Sequence, residues 1–80
     1  MVPVDDEREI DARALEPPEP FVRVMEALDL LDRGEASALR VLLYREPFPL
    51  YKALEQNGYR RESRMEDDGT WVIRILPRAA

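Results

Sequence analysis

The chain has no cysteine and no histidine. That removes disulfides, thiolate nucleophiles, zinc sites built on these ligands and imidazole acid–base catalysis. Carboxylates, Lys52, tyrosines, serines and arginines are what remain for chemistry. Long apolar runs are missing too: none approaches the roughly 20 residues that span a bilayer. The first ten residues are acidic and lack the apolar segment of a secretory leader, so the cytoplasm is the expected compartment. The net charge is −5, with a pI near 4.7. Nucleic acid calls for a concentrated basic face, so it is not an expected partner. No metal and no cofactor is expected.

Eighty residues make one small domain with a thin core. Residues 1–8 read as a disordered tail, 9–76 as the domain and 77–80 as a C-terminal tail. A short first strand runs over Arg8–Arg13, with Ile10 and Ala12 turned to the core. Prolines at 17, 18 and 20 cannot lie inside a helix, since each lacks an N–H and fixes φ. Pro20, preceded by Glu19, suits the first helical turn, where that N–H would go unpaired. Phe21, Val24, Met25, Leu28 and Leu31 then recur at helical spacing, and Gly34 supplies the stop.

Ala36–Tyr44 reads as a strand that is apolar on both faces, hence central. A second proline-marked connection, Arg45–Pro49, leads into a helix over Pro49–Asn57, with Leu50, Tyr51 and Leu54 inward and Gly58 as its stop. Tyr59–Glu66 is so charged that it reads as an edge strand. Asp67-Asp68-Gly69 makes a hairpin turn, and Thr70–Leu76 closes the sheet. The order β-α-β-α-β-β predicts an α/β (α+β) two-layer sandwich: a four-stranded mixed sheet in the order 1-2-4-3 with two helices on one face. The other face would carry Leu42, Tyr44, Val72 or Leu76 among Arg40 and Arg74, a partly apolar surface suited to a weak homodimer or a docked partner.

The pattern Ile10-Asp11-x-Arg13-x-Leu15-x-x-Pro18-Glu19-Pro20 resembles the TusA/SirA-like sulfur-carrier family. That family has the same element order and a Cys-Pro-x-Pro motif at the start of its first helix. Ala27-Leu28, Gly34 and Gly58 also match, so the resemblance covers residues 9–76. Pro17 stands where the family has its sulfur-carrying cysteine, and Ala14 where it has glycine. Proline offers no atom that can hold a persulfide, so Pro18, Glu19 and Pro20 carry over as loop architecture alone. Arg45-Glu46-Pro47-Phe48-Pro49-Leu50-Tyr51 and Trp71 resemble a cysteine-free, uncharacterised bacterial branch of that superfamily. Its domains occur alone or joined to hemerythrin-like metal-binding domains, which implies a redox setting without assigning an activity.

The topology places Glu16–Pro20 beside Arg45–Pro49. The expected function is therefore a non-catalytic binding or regulatory module that meets a protein partner through Arg13, Glu16, Pro17, Pro18, Glu19, Arg45, Pro47 and Phe48. The alternative is a binder of a small anion or metabolite near Arg45, or an accessory of a sulfur-relay or redox system. Each site has a plainer reading beside it. The Pro17–Pro20 loop also serves as a rigid helix start, and Arg45 as half of an ion pair with Glu46 or Glu16. Arg13 can pair near Asp11, and Trp71 can pack in the core. Arg60, Arg61, Arg64 and Arg74 can solvate an edge, while Asp67 and Asp68 need only a turn. Glu16 and Glu19 are a candidate acid–base pair only in the loosest sense, since among 17 acidic residues such proximity is expected by chance.

Overall fold

A computed structural model describes residues 6–78. The elements are β1 (Glu7–Asp11), α1 (Glu19–Asp32), β2 (Ala38–Leu43), α2 (Phe48–Gln56), β3 (Arg60–Met65) and β4 (Trp71–Leu76). They form a four-stranded sheet in the order β1-β2-β4-β3, as the apolar and charged patterns predict. β1 lies parallel to β2, with Glu7 opposite Ala38 and Asp11 opposite Leu42. β4 runs antiparallel to both its neighbours, pairing Leu39 with Ile75 on one side and Arg60 with Leu76 on the other.

Alternation along the strands decides the packing. Leu39, Val41 and Leu43 of β2 and Ile73 and Ile75 of β4 point to one side. There they join Val24, Leu28 and Leu31 of α1 and Leu50, Tyr51 and Leu54 of α2 in a single core. Both helices thus cover the same face. Each ends in the same way: the amide three residues past the last helical residue reaches back to close the turn. Glu35 donates to the Leu30 carbonyl at 2.8 Å and Tyr59 to Leu54 at 3.0 Å. Gly34 and Gly58 adopt the positive φ values, 72° and 81°, that this closure needs. Trp71 is half-buried and packs on the rim of the core.

The two tails are shorter than the sequence predicts. Glu7 and Arg8 belong to β1 because the strand pairs with β2 from Glu7 onward, and the Glu7 carboxylate is held by Arg74 at 3.2 Å. The rest of the expected N-terminal tail, residues 1–5, lies outside the described residues. At the other end, the Pro77 carbonyl accepts from Arg60 and Arg78 pairs with Asp32, so both make contacts with the domain surface, while residues 79–80 lie outside the described residues. The open face of the sheet mixes apolar and charged side chains. Val72 is only 4% exposed, in a setting of Arg40, Arg64 and Arg74 rather than on a bare hydrophobic patch. Long arginine stems shield apolar surface while keeping the charge in water. Among the described residues, no helix is long and apolar enough to cross a membrane.

Candidate functional site

The carboxyl ends of parallel strands β1 and β2 lie side by side, and each feeds a proline-rich connection into a helix. This follows from the register alone: Asp11 sits opposite Leu42, and Ala12 extends the ladder by donating to the Leu42 carbonyl at 3.0 Å. The chains leaving both strands therefore start as neighbours. Their prolines cannot continue a strand or enter a helix interior, so both connections stay at the sheet edge. The Pro17–Pro18 peptide bond is cis.

Between the connections is a groove of about 300 Å3. Pro17, Pro18, Pro20 and Phe21 form one wall, and Pro47, Pro49 and Leu50 the other, with Leu43, the last residue of β2, between them. Arg45 and Glu46 also line it. Among the described residues, no carboxylate lies within ion-pair distance of Arg45. The groove has no hydroxyl, amine or thiol in its lining, and its two ionisable groups are a guanidinium and a carboxylate.

The structure brings together half of the residues expected at this surface. Pro17, Pro18, Arg45 and Pro47 line the groove; Arg13, Glu16, Glu19 and Phe48 do not. Arg13 is committed elsewhere. Its guanidinium donates to both carboxylate oxygens of Asp11, at 2.9 and 2.7 Å, and lies 6.0 Å from the Tyr44 ring centre. That donation, helped by the Arg13 backbone N–H, lowers the Asp11 carboxyl to about 2. Glu16 and Glu19 are exposed, and the Glu19 amide donates back to the Glu16 carbonyl at 2.9 Å to start α1.

Phe48 turns to the other side of its connection. Its ring meets Tyr51 edge-on, with centroids 5.8 Å apart, beside a separate cavity between α2 and β3. There the Arg61 guanidinium stacks 3.8 Å above the Tyr51 ring, and the Tyr51 hydroxyl donates to Glu46 at 3.2 Å. Burial pushes that hydroxyl's pKa up.

Sequence reasoning placed Pro20, Glu46 and Pro49 within the two connections without singling them out, and it missed Phe21, Leu43 and Leu50 as lining residues. Phe21 falls on the apolar stripe of α1 and so reads as core. It is 38% exposed, in the first turn of the helix, where it lines the groove. An apolar stripe that begins at the very start of a helix, straight after prolines, is the signal that could have separated Phe21 from Leu28.

A family profile described as "Uncharacterized conserved protein (DUF2249)" matches residues 9–77. The crystal structure of a SirA-like protein from Desulfitobacterium hafniense superposes with a TM-score of 0.74 at 30% sequence identity, covering 89% of this chain and 97% of that one. No curated protein sequence matches the chain.

Proposed function

From the premise that the chain belongs to this uncharacterised family and has the SirA-like fold, we propose that it is a non-catalytic binding module whose proline groove takes an apolar, acidic segment of a protein partner. The observation that carries this reading is the lining of the groove: eight apolar side chains, five of them proline, beside an Arg45 with no carboxylate of its own. Such a surface offers contact and one positive charge. It offers no hydroxyl, amine or thiol, and its one carboxylate, Glu46, already accepts from the Tyr51 hydroxyl at 3.2 Å.

Rigid walls suit binding. Each proline has few conformations to lose, so little ordering entropy opposes association. An arginine beside apolar side chains is a common composition of an interface hot spot. The position agrees with the resemblance as well. Pro17 occupies the place of the family's sulfur-carrying cysteine, so the surface persists here with its reactive atom replaced by a ring. The geometry weighs against the alternative of an anion held by the start of α1. Pro18 and Pro20 have no N–H, and the Glu19 amide is already bonded to Glu16. The cytoplasm remains the proposed setting.

The test compares two charge reversals in binding to a partner captured on the wild-type protein and identified by mass spectrometry. Arg45→Glu should weaken that complex by about 1–2 kcal/mol while the circular dichroism spectrum stays unchanged. Arg64→Glu, on the far edge strand, should leave it intact. Equal effects of the two, or a complex untouched by Arg45→Glu, would sink this reading.

A further inference from the structure

On the face of the sheet away from the helices, Arg40 of β2 and Arg74 of β4 stand directly opposite each other. Like charges in such cross-strand positions repel and lower stability. The two are treated unequally. Arg74 donates to Glu7 at 3.2 Å and to Glu62 at 3.4 Å, so its charge is balanced twice over. Arg40 is half-buried and, among the described residues, has no carboxylate within ion-pair distance. Glu9 is its register neighbour on β1 but does not pair with it.

Next to this pair is a cavity of about 240 Å3, whose lining includes Arg40, Arg64 and Arg74 beside the buried Val72. The acids nearby are already engaged. Glu7 and Glu62 also line the cavity, and both are turned to Arg74. Glu66 meets Arg64 at 3.4 Å in an exposed pair of the kind that contributes little and exchanges readily. An uncompensated, half-buried guanidinium next to a second one and beside the buried Val72 is a setting in which a charge-assisted hydrogen bond from a guest is strong.

We propose that this cavity binds a small doubly charged oxyanion, of the size and chemistry of phosphate or sulfate, with Arg40 as its principal donor and Arg64 and Arg74 as the flanking cations. The guest would balance the charge that the fold leaves open on Arg40. The site is on the face opposite the core, away from the proline groove, and stands or falls separately from the binding role proposed for that groove.

Inorganic phosphate and sulfate, titrated into 15N-labelled protein at matched ionic strength, supply the test. The amides of Arg40, Val72 and Arg74 should shift with saturation, and Arg40→Gln should weaken that binding at least about tenfold, as loss of a charge-assisted bond does. Without added anion, Arg40→Thr should be at least as stable as the wild type to urea, because it relieves the Arg40–Arg74 repulsion and suits a strand. Shifts confined to residues 17–21 and 45–50, shifts of equal size in Arg40→Gln, or no saturable shift at all would overturn the proposal.

Discussion

Glu7 and Arg74, 67 positions apart in sequence, are joined by a carboxylate–guanidinium contact of 3.2 Å that reaches over β2 from the edge strand to β4. The Glu7 side chain is 23% exposed, which shelters the contact from solvent. It ties the first strand to the last by a route other than the ladder. Glu7→Gln should therefore lower the urea midpoint, and the loss should shrink at about 1 M salt, where screening lengths fall to roughly 3 Å. A double-mutant cycle with Arg74→Gln should show coupling between the two sites. Additive losses would mean that the contact is decorative.

Leu54 is fully buried, on the side of α2 that meets the sheet. Leu54→Ala should cost about 2–5 kcal/mol, the range for deleting a buried leucine. For an 80-residue domain that is a large share of the total stability. Chemical denaturation should show it as a cooperative transition at much lower urea. Lys52→Ala, on an exposed position of the same helix, should change little.

β4 has a hydrogen-bonded neighbour on each side, whereas β3 has one. Amides of Trp71–Leu76 should exchange with solvent more slowly than those of Arg60–Met65. Native-state hydrogen exchange reads this directly, and stronger protection in β3 would contradict the sheet order.

Arg13 holds the Asp11 carboxyl near 2, below its ordinary 3.8. A carboxyl depressed in the folded state contributes stability that is complete above its unfolded value and lost as the pH falls through the folded one. The contribution of this pair should thus be steady above about pH 4 and fade as the pH falls from there towards about 2. Carboxyl-carbon NMR should place the Asp11 midpoint near 2, and Arg13→Gln should move it towards 3.8. An unchanged midpoint in the variant would show that Arg13 is not the cause.

With no thiol anywhere in the chain, incubation with a cysteine desulfurase and cysteine should leave the intact mass unchanged. A stable added sulfur would show chemistry that none of these side chains accounts for.

Much of the fold could be read from residue patterns because burial leaves periodic marks. Leu39, Val41 and Leu43 alternate with Arg40 and Leu42, and that places β2 inside the sheet. The charges of Arg60, Arg61, Glu62 and Arg64 place β3 at an edge. The start of β1 was harder, since Glu7 and Arg8 look like a tail. Their place in the sheet is set by backbone pairing with Ala38 and Leu39 and by the distant Arg74, and neither leaves a local pattern. The two connections of the candidate site were visible through their prolines, which neither a central strand nor a helix interior tolerates. The groove itself was not. Leu43, Leu50 and Phe21 carry the same apolar signature as core residues, and only their position at element ends turns them towards a gap. Phe48 misled for the opposite reason: it sits within the proline connection, yet its ring is drawn to Tyr51.

The register that sets β1 beside β2 has a consequence for how the domain can be tethered. Glu7, where β1 starts, pairs with Ala38, and Leu76, where β4 finishes, lies one position beyond the Leu39–Ile75 pair. Both outermost strands of the chain therefore meet the neighbouring sequence at the same end of the sheet, and the proline groove opens at the other. A linker, a label or a second folded unit attached at either side would leave the groove facing outward. Immobilised through one terminus, the domain would present that surface to solution like a socket at the free end of a lead.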